Sequence, residues 1–235
     1  MLSSPVTLGL YAWQREMALA RLRVFRTQML ERVFPAFANI EAEAEARGEE
    51  LFLGALSRPG YSEGDESALA EHAHETAVEH FRDLHEVLIT SINFATATLF
   101  HAHWETPVRA WLVGEAPMFG ASTREMKKLE RTQLAEVLAF LAKHGWATDE
   151  AEWLPRLEEL RLVANTVKHA KGDSAQALYA LDRTLFYPFN LMEEDEMIGD
   201  YRGDGSDLVI ESERFALYAD AVEAFWQSAP PANED

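Results

Sequence analysis

Apolar residues recur three and four positions apart through almost the whole chain, and this spacing constrains the fold more than any other feature. In the N-terminal part, Leu19, Leu22 and Phe25 belong to such a stretch, which predicts a long amphipathic helix over residues 9–48. Pro35 should kink or divide this helix, because proline cannot donate a backbone hydrogen bond. The spacing predicts an all-α helical bundle that begins with a long N-terminal helix.

Segments rich in glycine and proline separate the remaining predicted helices. Two of them, SRPGYSEGD at 57–65 and VGEAPMFGAS at 113–122, indicate loops. A third segment, near 187–211, is irregular, and its DLVI stretch is a candidate for a short strand. We predict a single domain over residues 1–235. The further predicted helices span about 66–104, 123–144, 150–170, 173–186 and 212–228.

The composition limits the class of protein. Hydrophobic residues make up 48% of the chain, which is enough for a proper core. The chain has no cysteine, so disulfides and thiolate ligands are excluded. The first residues lack the basic start of a signal peptide, and no apolar run approaches the ~18 residues of a membrane span. We expect a cytoplasmic protein that does not enter a membrane.

The formal net charge of −19 argues against non-specific binding to nucleic acid, because such binding depends on Lys and Arg. The charge is unevenly distributed, however. Residues 107–188 contain 11 basic and 11 acidic residues and are therefore neutral, whereas the flanking parts are acidic. This neutral middle of the chain is compatible with local binding of an anion.

One stretch of the neutral middle, ELRLVANTVKHAKGD at 159–173, carries an unusual set of polar residues. On a helix, Arg161, Asn165, Lys168 and His169 fall within about 100° of arc and about 12 Å of axis. Two cations, an amide and an imidazole suit an oxyanion such as phosphate. We call these four residues the polar strip. Its plainer interpretation is the solvated face of an amphipathic helix.

Histidines and glutamates at short spacings raise the question of a metal site. A di-iron carboxylate site in a bundle needs two Glu-x-x-His motifs, and the chain has one, at 71–74. His101 and Glu105 are a further pair at i, i+4. The stretch DYRGDGSDLVIE at 200–211 partly fits a calcium loop, but Arg202 occupies a ligand position. We predict a turn there, and neither a metal nor another cofactor.

Two stretches together resemble HEPN domains, which are small all-α bundles of many prokaryotic toxins and phage-defence proteins. In LRLVANTVKHAKG, Asn165, His169 and Gly172 match an Asn four positions before a His that is closely followed by Gly. LFHAHWETPVRAWL at 99–112 is similar to the partner helix of several HEPN families, with a His-rich turn followed by Trp and Glu. The resemblance covers about residues 70–185.

The resemblance implies a metal-independent endoribonuclease or RNA-binding effector that acts as a homodimer, with two motif helices facing each other across a shared cleft. The ribose 2′-hydroxyl attacks phosphorus, and a cyclic phosphate is left. Carried over to this chain, it implies proton transfer by His169 and phosphate orientation by Asn165. It also implies stabilisation of charge by Arg161, with Lys168 as a substitute, and a positioning role for Glu105 beside one of these cations.

The chain departs from the family pattern at the arginine. The family usually has Arg directly before the Asn or similarly close to the His, and here Ala164 stands before Asn165. Arg161 is a full turn earlier, with seven residues between it and His169. This spacing leaves open whether the site cleaves RNA or only binds it.

The alternative function is a non-catalytic, acidic helical interaction module, an antitoxin-like or regulatory subunit that binds a basic protein. The environment of the polar strip distinguishes the interaction module from the ribonuclease. An enzyme needs the strip open to solvent or to a dimer mate. The interaction module is favoured if the strip is buried in ion pairs with Glu158, Glu159 or Glu105.

Overall fold

The computed structural model of the chain is all-α, as the sequence predicts, with no β-strand in its described residues. The structure describes residues 8–37, 39–57, 66–115, 117, 122–129, 133–148, 150–170, 172–186 and 205–232. The helices are α1 (Ala12–Gln28), α2 (Phe34–Phe37), α3 (Ile40–Leu56), α4 (Glu66–Phe100), α5 (Thr106–Glu115), α6 (Thr123–Leu129), α7 (Leu134–Lys143), α8 (Leu154–His169), α9 (Asp173–Leu181) and α10 (Ser212–Ser228). Single π-helical turns, Met29–Val33 and His101–Glu105, follow α1 and α4, and 3₁₀ turns lie at Arg183–Leu185 and Gly205–Asp207.

The chain forms two compact units. The larger contains residues 1–27 and 93–235, and the smaller contains residues 28–92. The chain passes between the units within continuous helical segments, at the end of α1 and inside α4. The single domain over residues 1–235 stays a prediction.

A cluster of aromatic rings around Phe225 of α10 forms the centre of the larger unit. The rings of Trp104, Trp146, Trp153 and Trp226 have their centroids 5.2–5.4 Å from that of Phe225. Aromatic pairs at such distances contribute about 0.5–1.5 kcal/mol each beyond the burial of their area. The cluster therefore joins residues from the π turn after α4, the segments before α8, and α10.

A buried carboxylate connects α8 to α10. Glu159 is 4% exposed, and its Oε1 accepts a hydrogen bond from the Tyr218 hydroxyl at 2.7 Å and lies 3.0 Å from Nη1 of Arg214. Its Oε2 accepts a hydrogen bond from Nη1 of Arg156 at 2.5 Å, and Arg214 also pairs with Asp182. Burial, together with the charge of Glu159, raises the pKa of Tyr218, so its hydroxyl remains a donor. The charge of Glu159 is tolerated because it is fully paired.

In the smaller unit, α3 packs closely against the first half of α4. A Cβ atom on Gly48 would lie 2.9 Å from both the carbonyl oxygen of Ala73 and the Cβ of Ala77. Only glycine fits this contact without a shift of the backbone. Farther along α4, Phe81 and Val87 are exposed.

The predicted long helix over residues 9–48 is divided near its proline, as expected. The helical chain that begins with α1 ends at Phe37, two residues after Pro35, and α3 begins at Ile40. The π turn Met29–Val33 lies directly before α2, and such turns often occur where a helix is kinked. None of the described helices combines the length and the apolar character that a bilayer span requires.

Two local expectations differ from the structure. The predicted helix over 123–144 is described as two helices, α6 and α7, and residues 130–132 between them lie outside the described residues. The DLVI stretch forms no strand in the described part of the chain. Its Leu208 makes an isolated antiparallel bridge with Phe186.

Removing the hydroxyl of Tyr218 tests the buried connection between α8 and α10. We expect Tyr218→Phe to lower the free energy of unfolding by about 1.5–3 kcal/mol, because Glu159 loses a charge-assisted hydrogen bond that water cannot replace. Urea denaturation measures the change. Tyr11→Phe is the matched control, since Tyr11 is 40% exposed, and it should change stability by less than about 0.5 kcal/mol. Equal effects of the two substitutions would contradict this role of Tyr218.

Candidate functional site

One side of α8 packs into the core of the larger unit, which confirms the apolar face that the sequence indicates. Leu160, Val163 and Ala164 are fully buried. Ala164 stands where the HEPN pattern has an arginine, and a guanidinium at this position would be removed from water. Position 164 is therefore a packing position in this chain, and the cations of the polar strip come from other positions of the helix.

The polar strip on the other side of α8 has a partly enclosed section and an open end. Arg161 and Asn165 are partly buried, whereas Lys168 and His169 in the last turn are exposed to solvent. About 12 Å of helix axis separates Arg161 from His169. The structure thus brings Arg161 and Asn165 into one recess and places the other two residues outside it.

This recess is a cleft of about 400 Å³ in the larger unit, and Glu105 lies in its wall with Arg161 and Asn165. The other lining residues are Phe100, Arg109, Gln133, Leu134, Ala135 and Glu158. The volume is within the range of small-molecule sites, about 300–1,000 Å³. The polar groups of the cleft are two guanidiniums, two carboxylates and two amides, so an anion in it would meet carboxylates as well as cations.

Arg161 is bound by a carboxylate one turn earlier on α8. Its Nε donates a hydrogen bond to Oε2 of Glu158 at 2.9 Å, and the two side chains are 31% and 38% exposed. The terminal amines of Arg161 and the amide of Asn165 make no hydrogen bond with any described residue. The expected pairing of Glu105 with Arg161 or Lys168 is not found among the described residues, since Glu105 is held by its own helical segment.

Two neighbours fix Glu105 in the wall of the cleft. Oε1 accepts a hydrogen bond from Nη2 of Arg109 at 2.7 Å, and Oε2 accepts one from Nδ1 of His101 at 2.7 Å. Burial acts to raise the pKa of Glu105, but the bonds and charges of Arg109 and His101 outweigh it and hold the pKa below its ordinary value. His101 and Glu105 bound a π turn, a distortion frequent at functional sites.

Ala170 forms the end of α8. Ala170 has a φ angle of 45°, a left-handed value that costs a residue with a Cβ about 1–3 kcal/mol. Gly205 packs against this end: its N–H donates to the carbonyl oxygen of Ala170 at 2.8 Å, and a Cβ there would lie 2.8 Å from the Cα of Ala170. The strained residue thus lies directly after His169, and the 3₁₀ turn at Gly205 supports it.

The sequence predictions overlooked two polar residues of the cleft, Arg109 and Gln133. Arg109 lies four residues after Glu105, a spacing that favours an ion pair on one helix face, so the signal for it was present in the sequence. Gln133 precedes the first residue of α7 and lines the cleft from a distant part of the chain. No local pattern places it there.

The candidate metal sites lie partly within the described residues. No group of three or more His, Asp or Glu side chains is arranged to hold a metal ion within the described residues. Residues 200–204 of the partial calcium motif lie outside the described residues, and Gly205–Asp207 form a 3₁₀ turn.

Comparison with known proteins finds no relative of the chain. No family model, curated protein or solved structure matches the chain. The HEPN resemblance therefore remains an expectation from short motifs, and an assignment of function rests on the geometry of α8 and its cleft.

Replacing Glu105 with Gln should weaken the dependence of stability on acidic pH. The pKa of Glu105 is lower in the folded protein than in the unfolded chain. Its carboxylate therefore contributes stability that is present above about pH 4.5 and is lost as the pH falls through the folded pKa.

Urea denaturation between about pH 5 and pH 3 measures this effect. The free energy of unfolding of the native chain should fall more steeply with acid than that of Glu105→Gln. Glu86→Gln, at an exposed position of α4, serves as the control and should keep the native slope. Identical slopes for the native chain and Glu105→Gln would disprove the contribution.

Proposed function

We propose that the polar strip of α8 is a phosphodiester-binding surface, and that the chain is a HEPN-like RNA-binding effector of toxin or phage-defence type that cleaves RNA without a metal ion. The observation that carries the proposal is the open end of α8. There Lys168 and His169 reach solvent, and Arg161 and Asn165 follow in the adjoining cleft. The strip combines cations for an oxyanion with an imidazole, a group suited to proton transfer.

The proposed chemistry is transfer of a phosphoryl group within the RNA. The 2′-oxygen loses its proton and bonds to phosphorus, the bond from phosphorus to the 5′-oxygen breaks, and that oxygen gains a proton. His169 performs one proton transfer and Lys168 offsets charge on the phosphorane, while Asn165 orients phosphate from the adjoining cleft. The other proton transfer falls to water or to His169 of a second copy in a homodimer. The products are a 2′,3′-cyclic phosphate and a 5′-hydroxyl.

Cleavage of RNA by the purified chain in the presence of EDTA tests the proposal. We expect His169→Ala to lower the cleavage rate at least about 100-fold, because a positioned proton-transfer group contributes this much or more. Gel analysis of a diverse RNA pool gives the rate, and the chemistry of the 3′-ends identifies the cyclic phosphate. His72→Ala is the matched control, since His72 is an exposed histidine of α4 in the smaller unit.

The outcomes separate the parts of the proposal. Equal cleavage by the native chain and His169→Ala would remove His169 from the chemistry. Binding of RNA without cleavage would leave an RNA-binding effector. Analytical ultracentrifugation of the same samples tests the homodimer, for which a single species of monomer mass would be the contrary result.

A second candidate function, an acidic interaction module for a basic protein, is favoured by the ion pairs of the cleft. Arg161 is paired with Glu158 and Arg109 with Glu105, so both guanidiniums already have carboxylate partners. The net charge of −19 also suits a basic partner. This function predicts capture of a basic protein and no binding of RNA at physiological ionic strength.

A further inference from the structure

Arg161 lies too far along α8 from His169 for both to act on one phosphate. About 12 Å of helix axis separates them. Side chains of a helix lean toward its N-terminus, and the bond from Nε of Arg161 to Glu158 at 2.9 Å shows that Arg161 does so. The guanidinium is therefore directed away from His169, and the two residues contact different parts of any ligand that covers the strip.

The cleft around Arg161 retains groups that can bind an oxyanion. The terminal amines of Arg161 and the amide of Asn165 have no partner among the described residues. Glu158 is 38% exposed, and ion pairs this open to water contribute little to stability. A phosphate can therefore replace Glu158 on Arg161 without disturbing the core, and it would gain a second donor from Asn165.

We propose that the cleft is a second phosphate subsite and that the ligand is a single RNA strand lying along α8, an inference that rests on the proposed function. The reacting phosphate lies at Lys168 and His169, and Arg161 with Asn165 binds a phosphate farther along the strand. For stacked nucleotides at roughly 3.4 Å each, about 12 Å corresponds to about three nucleotides. Arg161 is then a binding residue, and Glu158 competes with RNA for it.

The subsite also gives a physical reason for the unusual position of the arginine. The position before Asn165, where the resembled family has its arginine, is occupied by the fully buried Ala164. A cation one turn earlier, at Arg161, enters the recessed cleft instead of the open end of the strip. Grooves that bind single strands track the backbone with cations in this manner.

Binding of short oligonucleotides to the full chain tests the subsite. The probes are fluorescent 2′-O-methyl oligouridylates, a dinucleotide and a hexanucleotide, which lack the attacking hydroxyl and are not cleaved. By fluorescence anisotropy, the native chain should bind the hexanucleotide about tenfold or more tightly than the dinucleotide. Arg161→Ala should weaken binding of the hexanucleotide far more than binding of the dinucleotide. It should also reduce the slope of log affinity against log salt concentration for the hexanucleotide by about 0.7.

Two further variants separate binding from packing. Glu158→Gln should increase the affinity for the hexanucleotide, because the competitor for Arg161 loses its charge. Arg47→Ala breaks an ion pair of the same i, i+3 type, with Glu50 at 2.6 Å on α3, and should change neither affinity. A role of Arg161 in packing alone would not produce opposite shifts in Arg161→Ala and Glu158→Gln.

Each contrary result points to a different failure. If Arg161→Ala weakens both probes equally, Arg161 contacts the reacting phosphate and the subsite is wrong. The subsite is also wrong if the native chain binds both probes equally. In that case, RNA cleavage that depends on His169 would still support the proposed function. If an RNA duplex binds as tightly as the single strand, the ligand is not specifically single-stranded RNA. If neither probe binds and no RNA is cleaved, the proposed function itself fails.

Discussion

The buried carboxylate of Glu159 determines which side of α8 the rest of the larger unit covers. Its contacts with Tyr218 and Arg214 attach α8 to α10. Glu159 lies about 160° around the helix from Arg161, so this attachment is made on nearly the opposite side from the polar strip. Rotation of α8 would separate a buried charge from its partners, which typically costs about 3–5 kcal/mol. The outward orientation of the strip follows from this constraint.

Burial distinguishes the ion pair of Arg214 from that of Arg161. Arg214 is 18% exposed and holds Glu159, which is 5% exposed in its side chain, so the loss of this pair would remove one of the partners of a buried charge. Arg161 and Glu158 are both about one-third exposed, and such pairs contribute only about 0–1 kcal/mol. The same chemical pairing is thus structural in one place and replaceable in the other.

The polar strip of α8, which the sequence predicts as one site, is divided into an open end and a cleft. Lys168 and His169 are open to solvent beside the strained Ala170, and the cleft holds Arg161 and Asn165. An interaction module would use neither the imidazole nor the open amide of the cleft. A strand of RNA would use both, which is why the opposite effects expected at Arg161 and Glu158 are informative.

Local geometry made much of this predictable from the sequence. A helix turns about 100° per residue, so the spacing of apolar residues predicts that α8 buries Leu160 and Val163 on a side away from His169, and both residues are buried. The ion pair of Glu105 and Arg109 was equally predictable. Side chains four positions apart on a helix are neighbours, and this does not depend on the surrounding structure.

Only the tertiary structure decided how the polar strip is divided. The cleft needs residues of α5, α7 and α8 that are distant in sequence, and no local pattern specifies that Gln133 and Asn165 line the same recess. The attachment of Glu159 to Tyr218, 59 residues away, is likewise a result of packing. The sequence by itself determined the helices and their faces, because these depend on neighbours along the chain. The packing of distant helices determined which polar groups are enclosed, paired or left open to a ligand.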